Sequence, residues 1–151
     1  MLLKALEPRG IDFFTNYGSR KSRELTENPR AALVFPWHDM GRQVVVDGAV
    51  ERLSERESDA YFATRPRGSQ LSVWASRQST VLGSREELEA AYAQAEERFP
   101  EGSAVSRPEW WGGWRLAPFS VEFWQGRPDR LHDRLRFRLA EGSWLVERLS
   151  P

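Results

Sequence analysis

Short segments rich in β-branched and aromatic residues lie near both ends of the chain and predict β-strands. Each segment is bounded by turn-forming residues, and together they cover residues 10–17, 31–38, 42–53, 112–126, 130–140 and 143–149. Asp47-Gly48 interrupts the third segment, which predicts a bulge or a sharp bend. Glu141-Gly142 joins the last two segments, so we expect them to form a β-hairpin.

The middle of the chain carries helix signals instead. Residues 54–57 and 84–87 both match the S-x-x-E capping box, in which a serine hydroxyl and a glutamate carboxylate bond free N–H groups at a helix start. The second box begins a run of strong helix formers that ends before Pro100. Residues 20–28 predict another short helix, which Pro29 ends.

About six strands with three or four helices between them predict an α+β fold. The architecture that accommodates them best is a mainly antiparallel β-barrel with peripheral helices. The chain has 151 residues, enough for one domain with a hydrophobic core, and no repeat or linker divides it. We therefore expect a single domain over residues 1–151.

The composition narrows the classes of function. Lys plus Arg and Asp plus Glu both number 22, whereas nucleic-acid-binding proteins usually carry a basic surplus that neutralises phosphates. The absence of cysteine excludes disulfides, a thiolate metal site and a cysteine nucleophile. No apolar run approaches the ~20 residues of a membrane span, and the first residues have no signal-peptide pattern. We expect a cytoplasmic protein that binds no nucleic acid, membrane or metal.

Two segments combine hydroxyl groups, cations and a helix start, and each is a candidate anion site. TNYGSRKS at 15–22 lies between a predicted strand and a predicted helix, where free N–H groups and the helix dipole favour an anion. In YFATRPRGS, Tyr61 and Arg65 share a helix face. Pro66 should turn the chain, so that Ser69 can cap the next helix. The alternatives are an ordinary capped turn and a helix corner with solvated charges.

The segment RLHDRLRF at 130–137 surrounds one of the two histidines with arginines. In a strand, alternate residues share a face, so Arg130, His132 and Arg134 would point to the same side of the sheet. A lone histidine is more often structural than catalytic. One held between two arginines on the same face is a stronger candidate for a functional site.

Taken together, these segments resemble the pyridoxamine 5′-phosphate oxidase family, FMN enzymes that form pyridoxal 5′-phosphate. The matching pieces follow in the same order along nearly the whole chain: LLK at 2–4, FFTNYGSRK at 13–21, FPWHDMGRQV at 35–44, YFATRPRGSQ at 61–70, WASRQS at 74–79, WGGWR at 111–115 and FWQGRPDRLHDR at 123–134. The resemblance implies an FMN-binding split barrel, and a homodimer with two flavin sites at the subunit interface.

The resemblance also implies roles for individual residues. The family's FMN contacts fall on Lys4, Phe14, Thr15, Arg20, Lys21, Gln43, Gln78, Ser79, Trp124 and Arg134. Its contacts to the phosphorylated substrate fall on Lys4, Tyr61, Arg65, Ser69, Arg130 and His132. On this basis the first anion segment would bind the flavin phosphate and the second the substrate phosphate. Arg130 and His132 are then the catalytic candidates.

The implied reaction is oxidation of pyridoxamine or pyridoxine 5′-phosphate to pyridoxal 5′-phosphate. A hydride passes from the substrate C4′ to the flavin, and molecular oxygen then takes the electrons and is released as hydrogen peroxide. Two alternatives stay open. One is an FMN oxidase of the same fold acting on another substrate, such as a phenazine precursor. The other is a protein that binds flavin or pyridoxal phosphate without turnover.

The start of the chain differs from the family's usual pattern. Members usually have an additional N-terminal segment with a helix and the beginning of the first strand. Here the sequence begins inside that strand, and Met1 stands where the family has an aliphatic residue. Either the sequence starts too far downstream, or this is a shortened form. We expect a shortened form to lack one arginine contact to FMN and a flap over the substrate, while the barrel itself remains.

Overall fold

The computed structural model describes residues 3–151, so the expectations for Met1 and Leu2 lie outside the described residues. Seven β-strands and four α-helices occur within the described range. The strands are β1 (Ala5–Glu7), β2 (Gly10–Asn16), β3 (Arg30–Trp37), β4 (Arg42–Arg52), β5 (Trp111–Gln125), β6 (Asp133–Ala140) and β7 (Ser143–Arg148). The helices are α1 (Arg20–Glu27), α2 (Glu55–Ala63), α3 (Arg67–Ala75) and α4 (Arg85–Arg98). The α+β prediction is therefore confirmed, and β1 is a strand that the sequence pattern did not predict.

The strands form one antiparallel sheet in which β5 is the central element. The order is β1-β2-β5-β4-β3. The strand β6 also pairs with β5, and its other edge pairs with β7. The first part of β5 pairs with β2 and its second part pairs with β6, while β4 runs along both parts. One long strand thus joins two halves of the sheet, and each half carries a different set of candidate residues.

The bulge predicted at Asp47-Gly48 is confirmed, because the pairing of β4 with β5 shifts register there. Gly48 is required at this point. A Cβ atom on it would collide with the Ala117 carbonyl oxygen and the Leu116 side chain of β5. The absence of a side chain lets the two strands approach closely where the sheet bends.

The helix starts agree with the sequence in part. At α2, Ser54 and Glu57 form the reciprocal capping box. At α4, Ser84 accepts from the backbone N–H of Glu87, but the Glu87 carboxylate accepts from the N–H of Gly83 instead. No helix within residues 3–151 is long and apolar enough to cross a membrane.

Two clusters of buried side chains form the core. The first lies on the sheet and consists of Ile11, Phe13, Val46, Val50, Trp114 and Leu116. The second joins the helices to the start of β5 and consists of Phe62, Leu71, Val73, Ala95, Val105 and Trp111. Because the second cluster anchors α2 and α3 against β5, it also sets the walls of the cavity described next.

Candidate active site

A cavity of about 420 Å³ lies where the end of β2 and the start of β5 meet the corner between α2 and α3. Several of its lining residues were predicted from the sequence: Lys4, Phe14, Thr15, Tyr61, Arg65, Ser69 and Gln78. The lining also contains residues that were not predicted: Asn16, Thr64, Pro66, Ser72, Val73, Ser76 and Trp111. Residues from both sequence-predicted anion segments therefore surround the same cavity.

Arg65 is the main cationic group of this cavity. Its guanidinium lies 4.7 Å from the centroid of the Trp111 ring, and burial lowers the pKa of Arg65 from its ordinary value. Its Nη1 atom is buried and has no hydrogen-bond partner among residues 3–151. A buried donor without an acceptor is rare, because it loses water and gains nothing in return. An anion in the cavity would supply that acceptor.

The side chains around Arg65 suit a flat ligand that carries an anionic group. The Tyr61 ring stacks on the Phe14 ring with a centroid distance of 3.8 Å, and both lie nearly parallel to Trp111.

Ser69 lies in the first turn of α3, with its N–H bonded to the Pro66 carbonyl. The prediction that Ser69 caps this helix is wrong, because the helix begins directly after Pro66.

A second polar group adjoins the cavity through Thr15. The Thr15 hydroxyl donates to the Gln78 side-chain oxygen at 2.7 Å and accepts from Lys21 Nζ at 3.2 Å. Burial lowers the pKa of Lys21. A lysine, a threonine hydroxyl and a glutamine amide provide the donors that a phosphate prefers.

Arg20 and Ser79 were also predicted to bind FMN, but neither lines the cavity. Arg20 is exposed on α1 and forms an ion pair with Glu24 at 2.8 Å. Ser79 follows Gln78 with a φ of 72°, which is in the left-handed region that serine seldom adopts. The left-handed turn at Ser79 redirects the chain immediately after Gln78.

The remaining predicted residues lie at the far end of β5. Gln43 of β4 and Arg134 of β6 are both direct cross-strand partners of Trp124 on β5. The Trp124 ring also lies against the imidazole of His132, with 4.7 Å between the ring centroids. We refer to Gln43, Trp124, Arg130, His132 and Arg134 as the distal group.

The predicted strand over 130–132 is wrong. Pro128–Arg130 forms a 3-10 turn in which Asp129 and Arg130 both have positive φ, and β6 begins at Asp133. Two consecutive left-handed residues cannot belong to an extended strand, so Arg130, His132 and Arg134 do not form one alternating face. Arg134 is also not a free cation, since it makes two hydrogen bonds to the Glu122 carboxylate at 2.7 and 3.0 Å.

The distal group and the cavity do not meet within one chain. Phe14, in the cavity, pairs with Gly113 near the start of β5, whereas Trp124 lies near its end. At about 3.3 Å per residue, this separation is on the order of 30 Å along the strand. The two sets of candidate residues therefore occupy opposite ends of the sheet.

Trp111 is the cavity residue whose role the sequence interpretation missed. It lies in the WGGWR segment, which was noted only as a matching piece. Its ring is 6% exposed and supports Tyr61, Phe14 and the Arg65 guanidinium at once. The high number of tryptophans, seven in 151 residues, is compatible with a dense core, a flat-ligand pocket or an interface, but composition alone does not single out Trp111.

The antiparallel sheet with its peripheral helices has the fold of FMN-binding split-barrel proteins. A pyridoxamine 5′-phosphate oxidase-related, FMN-binding protein from Nostoc punctiforme superimposes with a TM-score of 0.75 at 14% identity, covering 99% of this chain and 78% of that one. Family models match residues 2–99 (pyridoxamine 5′-phosphate oxidase) and residues 111–151 (pyridoxine 5′-phosphate oxidase C-terminal dimerisation region). The chain belongs to the pyridoxamine 5′-phosphate oxidase family, and the relatives' names describe oxidoreductases.

Individual relatives support the same assignment. The pyridoxine/pyridoxamine 5′-phosphate oxidase of Thermobifida fusca is 56% identical over 157 residues, which cover all of this chain and 71% of that protein. The enzyme of the same name from Streptomyces avermitilis is 58% identical, covering all of this chain and 68% of that protein. The structure of PhzG from Burkholderia lata, in complex with tetrahydrophenazine-1-carboxylic acid, gives a TM-score of 0.90 at 36% identity, covering 99% of this chain and 72% of that one.

Proposed function

We propose that this protein is an FMN-dependent oxidase that converts pyridoxamine 5′-phosphate or pyridoxine 5′-phosphate to pyridoxal 5′-phosphate. The observation that carries the proposal is the buried Nη1 of Arg65, which has no acceptor among residues 3–151 and borders the cavity. A substrate phosphate would accept from it, with further bonds from the Tyr61 and Ser69 hydroxyls and from Lys4. Charge-assisted bonds of this kind are the strong class of hydrogen bond.

The residues present also fit FMN. Lys21, Thr15 and Gln78 are joined by hydrogen bonds beside the cavity, and the Lys21 ammonium and the Gln78 amide N–H groups would hold the flavin phosphate. When bound, FMN would supply the redox chemistry, namely hydride acceptance from the substrate and reoxidation by molecular oxygen with release of hydrogen peroxide. The protein would bind and orient the two ligands.

The complete site needs the distal group of a second chain. Within one chain that group is on the order of 30 Å along β5 from the cavity, at the rise of an extended strand. Residues 111–151 match a dimerisation region, and the same part of the chain exposes large apolar side chains: Phe119, Phe123, Leu131, Leu139, Trp144, Leu145 and Val146. Exposed apolar residues in this density indicate an interface. In a homodimer, Arg130 and His132 of one protomer would hold the substrate ring over the cavity of its partner.

The test is an oxygen-dependent assay of the purified protein with FMN, measuring aldehyde and hydrogen peroxide. Arg65→Gln should raise the KM for pyridoxamine 5′-phosphate on the order of a hundredfold, because one strong phosphate contact is lost. Arg56→Gln is the matched control: Arg56 is exposed on α2, which ends at Ala63 just before Arg65, and its replacement should leave KM unchanged. A yellow protein that binds FMN but forms no aldehyde would contradict the proposal.

A same-fold oxidase with another substrate remains the second hypothesis. The observation that favours it is the similarity to PhzG, whose structure holds a tetrahydrophenazine carboxylic acid. Substrates without a phosphate would leave the Arg65 donor without its strongest acceptor. Comparing turnover of pyridoxamine 5′-phosphate with that of a phosphate-free tricyclic acid therefore separates the two hypotheses.

A further inference from the structure

The turn before β6 is held by a set of hydrogen bonds that converge on one carboxylate. Asp133 Oδ2 accepts from Arg127 Nε at 2.7 Å, and its Oδ1 accepts from Arg148 Nη1 at 2.9 Å. The first bond closes the turn across its base, and the second ties the turn to β7. The hydrogen bond from Arg127, followed by that from Arg148, also lowers the pKa of Asp133, so the group is ionised at neutral pH.

The turn that these bonds close has an unusual backbone. Asp129 and Arg130 have φ values of 56° and 63°, and neither is a glycine. Residues with side chains adopt this region rarely, and two in succession persist only when the surroundings hold them there. The left-handed pair reverses the chain so that Arg130 and His132 stand outside the strand.

The same turn sets the tautomer of the neutral His132 ring, that is, which of its two nitrogens carries the proton. The backbone N–H of Arg127 donates to His132 Nδ1 at 3.1 Å. A nitrogen that accepts a hydrogen bond carries no proton, so in the neutral ring the proton lies on Nε2. His132 therefore presents an N–H donor through Nε2, and the position of Arg127 decides this.

We propose that Asp133 is a positioning residue, which holds Arg127 so that the strained turn presents Arg130 and keeps His132 as an Nε2–H donor. The proposal rests on the proposed function, in which Arg130 and His132 contact the substrate. Asp133 itself touches neither the substrate nor the flavin in this scheme. Its ion pairs with Arg127 and Arg148 are largely exposed, so they add little to the stability of the fold. Their effect is on the geometry of the turn.

The first readout is the tautomer of His132, measured by long-range ¹H–¹⁵N correlation NMR on the labelled FMN-bound protein. The chain has two histidines, and His38→Gln assigns the signals. At about pH 8.5, where an ordinary imidazole is neutral, the wild-type His132 should show its proton on Nε2. Asp133→Ala should add a population with the proton on Nδ1, and Arg127→Gln should do the same.

The second readout is kinetic. In Asp133→Ala, kcat should fall about ten- to a hundredfold, as expected when groups that orient a substrate are displaced by about 1 Å. The KM for pyridoxamine 5′-phosphate should change much less, because the phosphate contacts at Arg65 and Ser69 are untouched. The double variant Arg127→Gln/Asp133→Ala should be no worse than Asp133→Ala alone, since that single variant already removes the bond to Arg127.

Glu147→Gln is the matched control. Glu147 is also a carboxylate shared by two arginines, Arg136 and Arg138, on the same hairpin, but it lies away from the turn. The variant Glu147→Gln should leave both the tautomer of His132 and kcat unchanged. The melting temperature and FMN content of all variants should stay close to the wild-type values.

Three results would overturn the positioning role. In the first, the wild-type His132 carries its proton on Nδ1. In the second, Asp133→Ala changes neither kcat nor the tautomer. In the third, kcat falls only in proportion to the loss of bound FMN or of folded protein. Failure of the proposed function looks different. The wild-type protein would then form no aldehyde, while the NMR response to Asp133→Ala could still be measured.

Discussion

A buried ion pair between β2 and β5 offers the sharpest test of what stabilises this fold. Asp12 and Arg115 are cross-strand neighbours, 5% and 4% exposed, joined by two hydrogen bonds of 2.7 and 2.6 Å. The perturbation is Asp12→Asn, which keeps the shape of the side chain and removes its charge. Arg115 cannot respond by losing its proton, because arginine stays protonated in proteins.

The expected cost follows from leaving a buried charge without its partner. Removing one member of a buried pair typically destabilises a protein by about 3–5 kcal/mol. Arg115 Nη1 also donates to Glu57 at 3.2 Å, and the asparagine oxygen can still accept one bond, so we expect the lower end, about 3 kcal/mol. For a chain of this length, that corresponds to a fall in melting temperature of about 6–12 °C.

Urea unfolding followed by circular dichroism, at one fixed protomer concentration, measures this cost. Glu89→Gln is the control, because it breaks an exposed ion pair with Arg85 and should cost about 0.5 kcal/mol or less. Adding Arg115→Met to Asp12→Asn should recover part of the loss, since no buried charge then remains. A cost below about 1 kcal/mol for Asp12→Asn would refute the reasoning, because it would mean that Arg115 is well solvated without its partner.

Three further predictions concern Glu57, Lys21 and Gly48. Hydrogen bonds from the Ser54 hydroxyl, then its N–H, and the charge of Arg115 lower the pKa of Glu57 from 4.5 to about 2. The ionised carboxylate therefore stabilises the folded state above pH 4.5, and this contribution is lost as the pH falls towards 2. The difference in the free energy of unfolding between the wild type and Glu57→Gln should shrink across that range. If Lys21 holds the flavin phosphate, Lys21→Met should weaken FMN binding about ten- to a hundredfold in a fluorescence titration, and an unchanged Kd would exclude that role. Gly48→Ala places a Cβ against a backbone oxygen that cannot move aside, so calorimetry should show a loss of about 1–3 kcal/mol, and an unchanged melting curve would contradict the close approach of β4 and β5.

Local patterns in the sequence determined much of this protein. Short runs of β-branched and aromatic residues predicted six of the seven strands, and the capping box at Ser54–Glu57 placed the start of α2. The motif resemblance indicated both the fold and the residues Tyr61, Arg65 and Ser69, which the structure gathers around one cavity. The strand and capping signals are short-range, because each depends on residues only a few positions apart, whereas the resemblance runs along nearly the whole chain.

The tertiary structure decided what those side chains face. Arg115 meets Asp12 across 103 positions of sequence, and the Nη1 atom of Arg65 is buried where its guanidinium lies against Trp111 of β5. Neither contact can be read from a local pattern. The left-handed turn at Asp129 and Arg130 is likewise closed by a bond between the Arg127 and Asp133 side chains on either side of it, and no glycine marks its positive φ angles in the sequence. The sequence by itself indicated which residues are candidates for binding phosphate and flavin. Packing and long-range pairing decided which of these side chains are buried, which are paired with other residues, and which are available to a ligand.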